Sequence, residues 1–314
     1  MNVLVLCRQK THGVGSPFVE EQVESLLRLG VRCERSFVQN GGPLGYARHY
    51  PRLLRDIRQS NCDLVHAHYG LCGCVAALQQ KKPYIITYHG TDAVGKRFGW
   101  LGTLARQRAA QIICVESGMP ETLSLTDNFS VIPCGVDLDT FTIRDRSECR
   151  RRLGIAPEAQ IVVFASAFDN PVKNAPLAKE AVQRLPGVQL VELRDRSRDE
   201  VCTLMNAADV LLLTSFSEGS PQVVKEAMAC GLPIVSTDVG DVRDVIGTTD
   251  GCQICSYDAD DVAAKLRHAL AVPRRTNGRD NIAHLSNDVI AQQILSVYEQ
   301  VCLPKAIPVS SAAR

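Results

Sequence analysis

The sequence predicts an α/β protein made of two Rossmann-like domains that face each other across a cleft, each a parallel sheet covered by helices. Short apolar runs alternate with helix-like periods along the chain, a pattern typical of parallel sheets with helices on both faces. A segment at 131–137 that contains proline and glycine separates two such series. The 314 residues are also sufficient for two domains of ordinary size, each with its own core.

The first series predicts five strands, each followed by a helix. The strands cover 2–7, 32–38, 63–68, 83–89 and 111–115, and the helices cover 18–29, 46–58, 71–79, 98–109 and 118–123. Ligands of parallel sheets bind at the carboxyl ends of the strands. The loop after the first strand contains Gly13, Val14 and Gly15 and is therefore a candidate site, with a simple turn as an equal alternative. Phe18 stands where a dinucleotide fingerprint needs its third glycine, which disfavours a dehydrogenase.

The second series predicts five more strands and six helices. The strands cover 160–168, 187–193, 209–214, 233–237 and 251–255, and the helices cover 175–185, 199–205, 221–230, 242–246, 259–270 and 282–301. We assign residues 1–135 to the first domain, 136–285 to the second, 286–303 to a C-terminal helix and 304–314 to a disordered tail.

The composition limits the classes of function. A net charge of +1 argues against a dedicated nucleic-acid binder, which should be strongly basic. No apolar run reaches the roughly 18 residues of a spanning helix, and the chain starts on a strand-like segment, so we expect a cytoplasmic protein without a signal peptide. The thirteen cysteines are odd in number and many lie in apolar runs, which favours reduced, buried thiols. The close pairs Cys72/Cys74 and Cys252/Cys255 lack partner pairs at zinc-ribbon spacing, so we assign no metal.

The most informative stretch is 214–244. A buried strand ends at Thr214, and a polar loop follows before Pro221 opens a helix. Glu218 lies on the loop beside the N–H groups of the helix start, and Glu226 lies about one and a half turns further in. Such a unit can hold a phosphate on backbone amides and sugar hydroxyls on carboxylates. The alternative is an ordinary strand–loop–helix unit with two solvated glutamates.

Three segments resemble one family. Residues 218–240, EGSPQVVKEAMACGLPIVSTDVG, resemble the donor-site signature of family-4 retaining glycosyltransferases of the GT-B fold. KPYIITYHGTD at 82–92 and VIPCGVD at 131–137, which Phe141 completes, are similar to two other motifs of that family. Within it, the chain most resembles enzymes of bacterial cell-surface polysaccharide assembly, of the teichuronic-acid type.

The resemblance implies a nucleotide-diphosphate sugar donor, linked to UDP or GDP, and transfer with retention at the anomeric carbon. It implies that Glu218 binds hydroxyls of the donor sugar, Lys173 binds the diphosphate and His89 orients the sugar. The donor-binding set that it implies is Glu226, on the ribose, with Gly219, Ser220, Pro221, Gln222 and Val223. The loop of Gly13 to Gly15 would then face the donor phosphates and the acceptor, and the last helix would return to the first domain.

Lys173 also has support from its own position. A lysine at a helix start opposes the helix dipole, so it is better placed to bind an anion than to stabilise the helix. The family usually has an arginine five residues before this lysine, where this chain has Phe168. Either Lys173 acts with loop amides and with Arg8 or Lys10 across the cleft, or donor affinity is low.

Four arginines form a stripe on the predicted helix at 46–58. Arg48, Arg52, Arg55 and Arg58 are spaced by four, three and three residues, which places them on one helix face. A solvated face is one explanation. The other is contact with the inner face of the plasma membrane or with the diphosphate of a lipid-linked acceptor.

The sequence therefore predicts a hexosyltransferase without a cofactor, which acts on a lipid-linked saccharide acceptor in cell-surface polysaccharide synthesis. Lysine and amide groups can stabilise the departing diphosphate, so the predicted mechanism needs no metal. Two alternatives remain: a sugar-nucleotide epimerase of GT-B fold, and a non-catalytic partner subunit that binds nucleotide sugars.

Overall fold

The computed structural model describes residues 1–9, 15–39, 42–90, 92, 99–271 and 275–302. The first half contains a six-stranded parallel sheet with the order β2-β1-β3-β4-β5-β6. Its strands are β1 (Asn2–Arg8), β2 (Arg32–Val38), β3 (Leu64–His68), β4 (Tyr84–Tyr88), β5 (Gln111–Cys114) and β6 (Phe129–Val131). Its helices are α1 (Pro17–Arg28), α2 (Pro43–Ser60), α3 (Gly70–Ala77), α4 (Gly99–Arg108) and α5 (Met119–Thr122).

The second half contains a five-stranded parallel sheet with the order β11-β10-β9-β7-β8. The strands are β7 (Gln160–Phe164), β8 (Val188–Glu192), β9 (Val210–Leu213), β10 (Ile234–Thr237) and β11 (Gln253–Cys255). The helices are α6 (Arg146–Leu153), α7 (Ala175–Gln183), α8 (Arg198–Ala207), α9 (Gln222–Ala229), α10 (Val242–Ile246), α11 (Ala259–Leu270), α12 (Gly278–Asn281) and α13 (Asn287–Cys302). The predicted fold of two parallel-sheet α/β units is confirmed.

Three of the strands and α-helices were not predicted from the sequence: β6, α6 and the four-residue helix α12. Strand β6 has three residues, none of them fully buried, so the predicted linker at 131–137 begins on a strand end. Helix α6, RSECRRRL, has no apolar stripe because its buried face includes Arg150. This guanidinium donates to the carbonyl of Ala207 at 2.9 Å and pairs with Asp209 at 3.0 Å. A charged side chain with this many partners replaces the apolar face that a helix normally presents.

The last helix packs against the first half of the chain. Helix α13 contacts α1, where Arg28 pairs with Asp288 at 2.6 Å. In the interior the hydroxyl of Tyr298 lies 2.6 Å from Nδ1 of His66 on β3, and both side chains are fully buried. The predicted helix at 282–301 is shorter than expected at its start, because 283–285 form a separate 3₁₀ turn.

The cysteines and the helices also bear on expectations from the sequence. All thirteen cysteines are unpaired, and eight of them are fully buried. Among the described helices, none combines the length and the apolar character needed to cross a bilayer.

Candidate functional site

A cavity of about 280 Å³ lies where the carboxyl ends of strands from both sheets meet. The sequence-predicted residues that line it are His89, Lys173, Glu218, Gly219, Ser220, Pro221, Gln222 and Val223. His89 follows β4 of the first sheet, whereas the others follow β7 and β9 of the second. The fold therefore brings together most of the predicted site residues, although His89 and Glu218 are far apart in sequence.

Lys173 and Glu218 form an ion pair at the mouth of this cavity. The Lys173 Nζ atom lies 2.6 Å from Oε1 of Glu218, which also accepts a hydrogen bond from the Ser215 hydroxyl at 2.6 Å. The hydroxyl of Thr214 donates to the carbonyl of Lys173 at 2.9 Å, and this bond fixes the turn that carries the lysine. The two charged side chains remain 20% and 14% exposed, so a ligand can reach them.

Helix α9 begins at the cavity with Gln222, and Pro221 occupies the N-cap position. No side chain caps this end among the described residues. The first amides of a helix lack intrahelical acceptors and carry the positive end of the dipole. The start of α9 therefore presents N–H groups on the same wall as the Lys173 ammonium.

Three glycines allow close backbone contacts around the loop at 218–220, and two of them, Gly90 and Gly219, join the two halves. A Cβ atom on Gly219 would lie 2.3 Å from the carbonyl oxygen of His89, and one on Gly240 would lie 2.0 Å from the carbonyl oxygen of Gly219. Gly90 has a φ of +137°, and a Cβ atom on it would lie 2.9 Å from the amide nitrogen of Gly219. Asp241 donates its backbone N–H to the Gly219 carbonyl at 3.0 Å. Larger residues would push the loop at 218–220 away from the end of β4.

Lys225 is a site residue that the sequence reasoning missed. Its side chain is fully buried on α9, and its ammonium donates to the carbonyl of Cys134 at 2.9 Å and to the Ser220 hydroxyl. The Asp241 carboxylate lies 3.1 Å from the ammonium and accepts from Ser220 at 2.5 Å. A sequence signal existed, because Lys225 lies between Val224 and Ala227 on the apolar part of the helix. This cluster connects the segment between the two sheets to the loop that forms the cavity wall.

Glu226 does not line the cavity but lies behind it, where α9 meets the first half of the chain. Its carboxylate is buried and pairs with Arg198, which also binds Glu21 of α1 at 2.6 Å. The guanidinium also stacks over the Phe141 ring at 4.5 Å. Burial raises the pKa of Glu226, although Arg198 opposes the shift. Burial also raises the pKa of Glu21, and the nearby Glu226 adds to that rise while Arg198 again opposes it.

His89 is held by a group of aromatic rings. The ring stacks on His68 at 5.2 Å, with His68 Nδ1 and His89 Nε2 3.0 Å apart. Phe18 and Tyr69 pack against the same ring, each at 4.9 Å between centroids. Burial, followed by the influence of His68, lowers the pKa of His89 well below its usual value. His89 is therefore a neutral side chain with a fixed ring position at the cavity wall.

The remaining predicted residues lie elsewhere. Gly15 donates its N–H to Glu20 at 3.0 Å and is not part of the cavity lining, and Gly13 and Val14 lie outside the described residues. Phe168 packs on Phe164 at 5.3 Å and under the ammonium of Lys179, away from the cavity. Arg8 is exposed at the end of β1, and Lys10 lies outside the described residues.

The four arginines of the stripe are exposed on α2. Leu53 and Ile57 are buried on the opposite side of the helix, as the spacing predicts. Arg52 lies 3.9 Å from Asp56, a distance at the limit of an ion pair. The stripe, Arg48, Arg52, Arg55 and Arg58, therefore forms a basic surface that is separate from the cavity.

Two Asp-x-Asp triplets occur in the chain, and both have structural roles. Asp137 accepts from the backbone of Asp139 and Thr140, and Asp258 caps the start of α11. Within the described part of the chain, no group of three or more histidine, cysteine or acidic side chains is arranged to hold a metal ion.

Two family models match this chain. A model of "Glycosyltransferase Family 4" matches residues 2–140, and a model of "Glycosyl transferases group 1" matches residues 155–271. The D-inositol 3-phosphate glycosyltransferase of Mycobacterium marinum is 27% identical, and the match covers 65% of this chain and 54% of that protein. The putative teichuronic acid biosynthesis glycosyltransferase TuaC of Bacillus subtilis is 26% identical, with 79% of this chain and 75% of TuaC covered. The chain thus spans about half the length of the first of these relatives.

Solved structures share the fold. Sucrose-phosphate synthase from Thermosynechococcus elongatus superposes with a TM-score of 0.81 at 18% identity, covering 96% of this chain and 98% of that one. Anabaena HepE in complex with UDP and glucose superposes with a TM-score of 0.75 at 17% identity, covering 96% of this chain and 100% of that one.

The buried Lys225 cluster leads to a prediction about stability. We expect Lys225→Met to lower the free energy of unfolding by about 3–5 kcal/mol, because Asp241 is left as a buried charge without its cation. The double variant Lys225→Met/Asp241→Asn should recover much of the loss. Urea denaturation with matched m values measures both. Lys179→Met, at an exposed lysine, is the control, and an equal loss in that variant would contradict the assignment.

Glu21 and Glu226, which share the Arg198 guanidinium, lead to a prediction about pH. The pKa of each carboxyl is raised above its usual value of 4.5 in the folded protein, so these groups favour the folded state at low pH. That contribution is lost as the pH rises from 4.5 through the raised pKa values. Glu226→Gln should make the free energy of unfolding fall less over this range than in the wild type, as measured by urea denaturation at several pH values. A slope as steep as in the wild type would contradict the prediction.

Proposed function

Because the chain belongs to the glycosyltransferases of family 4 and group 1, we propose that it moves a hexosyl group from a nucleotide-diphosphate sugar to a hydroxyl of a saccharide acceptor, with retention of configuration. The observation that carries the proposal is the single cavity wall on which Lys173, Glu218 and the start of α9 lie opposite His89. Transfer of this kind needs a cationic group for a leaving diphosphate and polar groups for a sugar. Both are present within hydrogen-bonding distance of one another.

The proposed mechanism starts with the ion pair. When a donor binds, its diphosphate takes the place of the Glu218 carboxylate beside Lys173, and Glu218 is released to accept hydrogen bonds from sugar hydroxyls. Such an exchange is feasible because a ligand can reach both side chains, and because the diphosphate replaces the carboxylate as the anion beside Lys173. Negative charge grows on the diphosphate as the glycosidic bond breaks. The Lys173 ammonium and the first amides of α9, at Gln222 and Val223, then stabilise that charge.

Retention follows in this proposal from attack on the same face as the leaving group. With the donor bound, the Glu218 carboxylate accepts hydrogen bonds from Ser215 and from hydroxyls of the sugar, so it is poorly placed as a covalent nucleophile. We therefore propose that the acceptor hydroxyl attacks beside the departing diphosphate, which takes the proton. No step of this mechanism requires a metal ion, because lysine and amide groups supply the positive charge.

The donor and acceptor are proposed from the relatives. HepE binds UDP and glucose according to its structure, so a UDP-linked hexose is the first donor to test, and a GDP-linked hexose is the second. TuaC is described as a putative enzyme of teichuronic acid biosynthesis, which supports an acceptor from cell-surface polysaccharide synthesis. Glu226 is proposed to bind the ribose, which requires that its second oxygen, Oε2, is reached from the cavity side while Arg198 holds Oε1.

The basic stripe on α2 suggests where a lipid-linked acceptor or a membrane meets the protein. Its four arginines are exposed, and Leu44 at the start of the same helix is 73% exposed. Basic side chains next to an exposed apolar residue are typical of surfaces that contact anionic bilayers. We propose peripheral contact with the inner face of the plasma membrane through this helix.

The ion pair of Lys173 and Glu218 leads to a prediction about catalysis. We expect Lys173→Ala and Glu218→Ala each to lower kcat by about 10²–10³-fold, since each removes a group that acts on charge or position in the transition state. The donor is chosen first, as the UDP- or GDP-linked hexose that raises the Tm of the wild type. Initial rates of transfer from that donor then measure the effect. Lys179→Ala is the matched control. Turnover close to the wild type in either site variant, with the fold retained, would refute the roles assigned here.

The basic stripe on α2 leads to a prediction about membrane binding. We expect replacement of Arg48, Arg52, Arg55 and Arg58 by glutamine to reduce binding to vesicles that contain phosphatidylglycerol, because each arginine adds up to about 1 kcal/mol near an anionic surface. Vesicle flotation at 0.1 M salt measures binding. The control replaces Arg151, Arg152, Arg184 and Arg243, which changes the net charge equally. Equal binding by both variants would rule out a specific role for the stripe.

A further inference from the structure

Three histidine rings lie in a row that leads from the interior to the cavity wall. His66 and His68 lie on β3 and are fully buried, with ring centroids 4.3 Å apart. His68 stacks in turn on His89, at 5.2 Å. Only His89 is partly exposed, and it borders the cavity. The function proposed above uses His89 but leaves the other two histidines without a role.

The protons of His68 and His89 can be assigned by counting. Burial lowers the pKa of His68 to about 3 and the pKa of His89 well below its usual value, so both rings are neutral near pH 7. A neutral imidazole carries one N–H and one acceptor nitrogen. The 3.0 Å contact between His68 Nδ1 and His89 Nε2 therefore contains one proton, which belongs to one ring or the other.

The second nitrogen of His68 decides between the two arrangements. Its Nε2 is buried and has no hydrogen-bond partner among the described residues. If His89 donated to His68, the His68 proton would be on Nε2, as a buried N–H without an acceptor. If His68 donates, Nε2 is instead a bare acceptor. Buried N–H groups without partners are rarer in proteins than acceptors with unused lone pairs. The second arrangement is therefore favoured.

The ring of His89 is fixed on its other sides. Phe18 and Tyr69 pack against its faces, and the backbone N–H of His89 donates to the Asp92 carboxylate at 2.9 Å. Its Nδ1 lies 3.8 Å from the sulfur of Cys134, which also borders the cavity. Because Nε2 accepts from His68, the proton of His89 must be on this Nδ1 atom.

We propose that His68 is a positioning residue that donates its Nδ1–H to His89 and thereby fixes His89 as a hydrogen-bond donor, with its Nδ1–H on the side of Cys134 at the cavity wall. His89 then recognises an oxygen atom of the sugar as an acceptor, and a neutral N–H serves this purpose without a buried charge. The use of this N–H on a sugar rests on the function proposed above. The tautomer itself and the role of His68 in fixing it do not.

Nitrogen-15 NMR of histidine-labelled protein near pH 7 tests the tautomer directly. We expect His89 to show a protonated Nδ1 and an unprotonated Nε2, and His68 likewise, with His89→Gln used to assign the His89 signals. A protonated Nε2 on His89 would overturn the proposal. Because this readout needs no substrate, it decides the inference even if the chain transfers no sugar.

Variants of His68 test its role in the reaction. Loss of one neutral hydrogen bond changes an equilibrium constant by about tenfold. We therefore expect His68→Leu to lower kcat/KM for the donor about tenfold or more. It should also give a mixture of His89 tautomers. The amide of His68→Asn can still donate a hydrogen bond to His89. We therefore expect this variant to keep kcat/KM within about threefold of the wild-type value.

The matched control is Tyr298→Phe, which removes a hydrogen bond of the neighbouring His66 without a contact to His89. We expect a lower Tm, unchanged kcat/KM and an unchanged His89 tautomer in this variant. If His68→Leu keeps wild-type kcat/KM, or if Tyr298→Phe lowers it equally, the specific role of His68 is wrong. If His68→Leu does not fold, the NMR spectrum of the wild type and the kinetics of His68→Asn still decide.

Discussion

A fully buried ammonium, that of Lys225, sets the relative position of the parts that form the cavity. It binds the carbonyl of Cys134, between the two sheets, together with Ser220 and Asp241 of the second half. A buried charge is tolerated only when its partners are close and complete, so none of these groups can move far without a large loss of free energy. The close approach of Gly219 to the backbone of His89 depends on this arrangement, because the loop at 218–220 is held from both sides.

The cavity combines this rigid cluster with groups that can exchange partners. Lys173 and Glu218 are partly exposed, and their ion pair can be replaced by contacts to a ligand. Lys225 and Asp241 are shielded from solvent, and their pair remains a structural element. The region around the cavity thus combines one cation for structure, on α9, with another for binding, on the turn between β7 and α7. Their different exposure, rather than their residue type, separates the two roles.

Two features determine how the positive charge near the cavity is distributed. Phe168 stands where the sequence resemblance implies an arginine, and its ring packs on Phe164, so Lys173 is the one lysine or arginine among the described residues that line the cavity. Arg198 pairs with both Glu226 and Glu21, which ties α9 to α1 across the two halves. The positive charge of this region is therefore divided between a binding role at Lys173 and a bridging role at Arg198.

The sequence by itself determined the two-sheet fold and the main residues of the site. Alternating apolar and helical periods define parallel α/β units, and the family resemblance, together with the carboxyl ends of buried strands, indicated Lys173, Glu218 and His89 as candidates. Tertiary structure alone decided which groups met across the chain: Lys225 with Cys134, His68 with His89, and Glu226 with Arg198. The sequence pattern within one helix or strand indicates which of its residues are buried. They do not record partners from distant segments, and for buried polar groups such as Arg150 and Lys225 the partner determines the role.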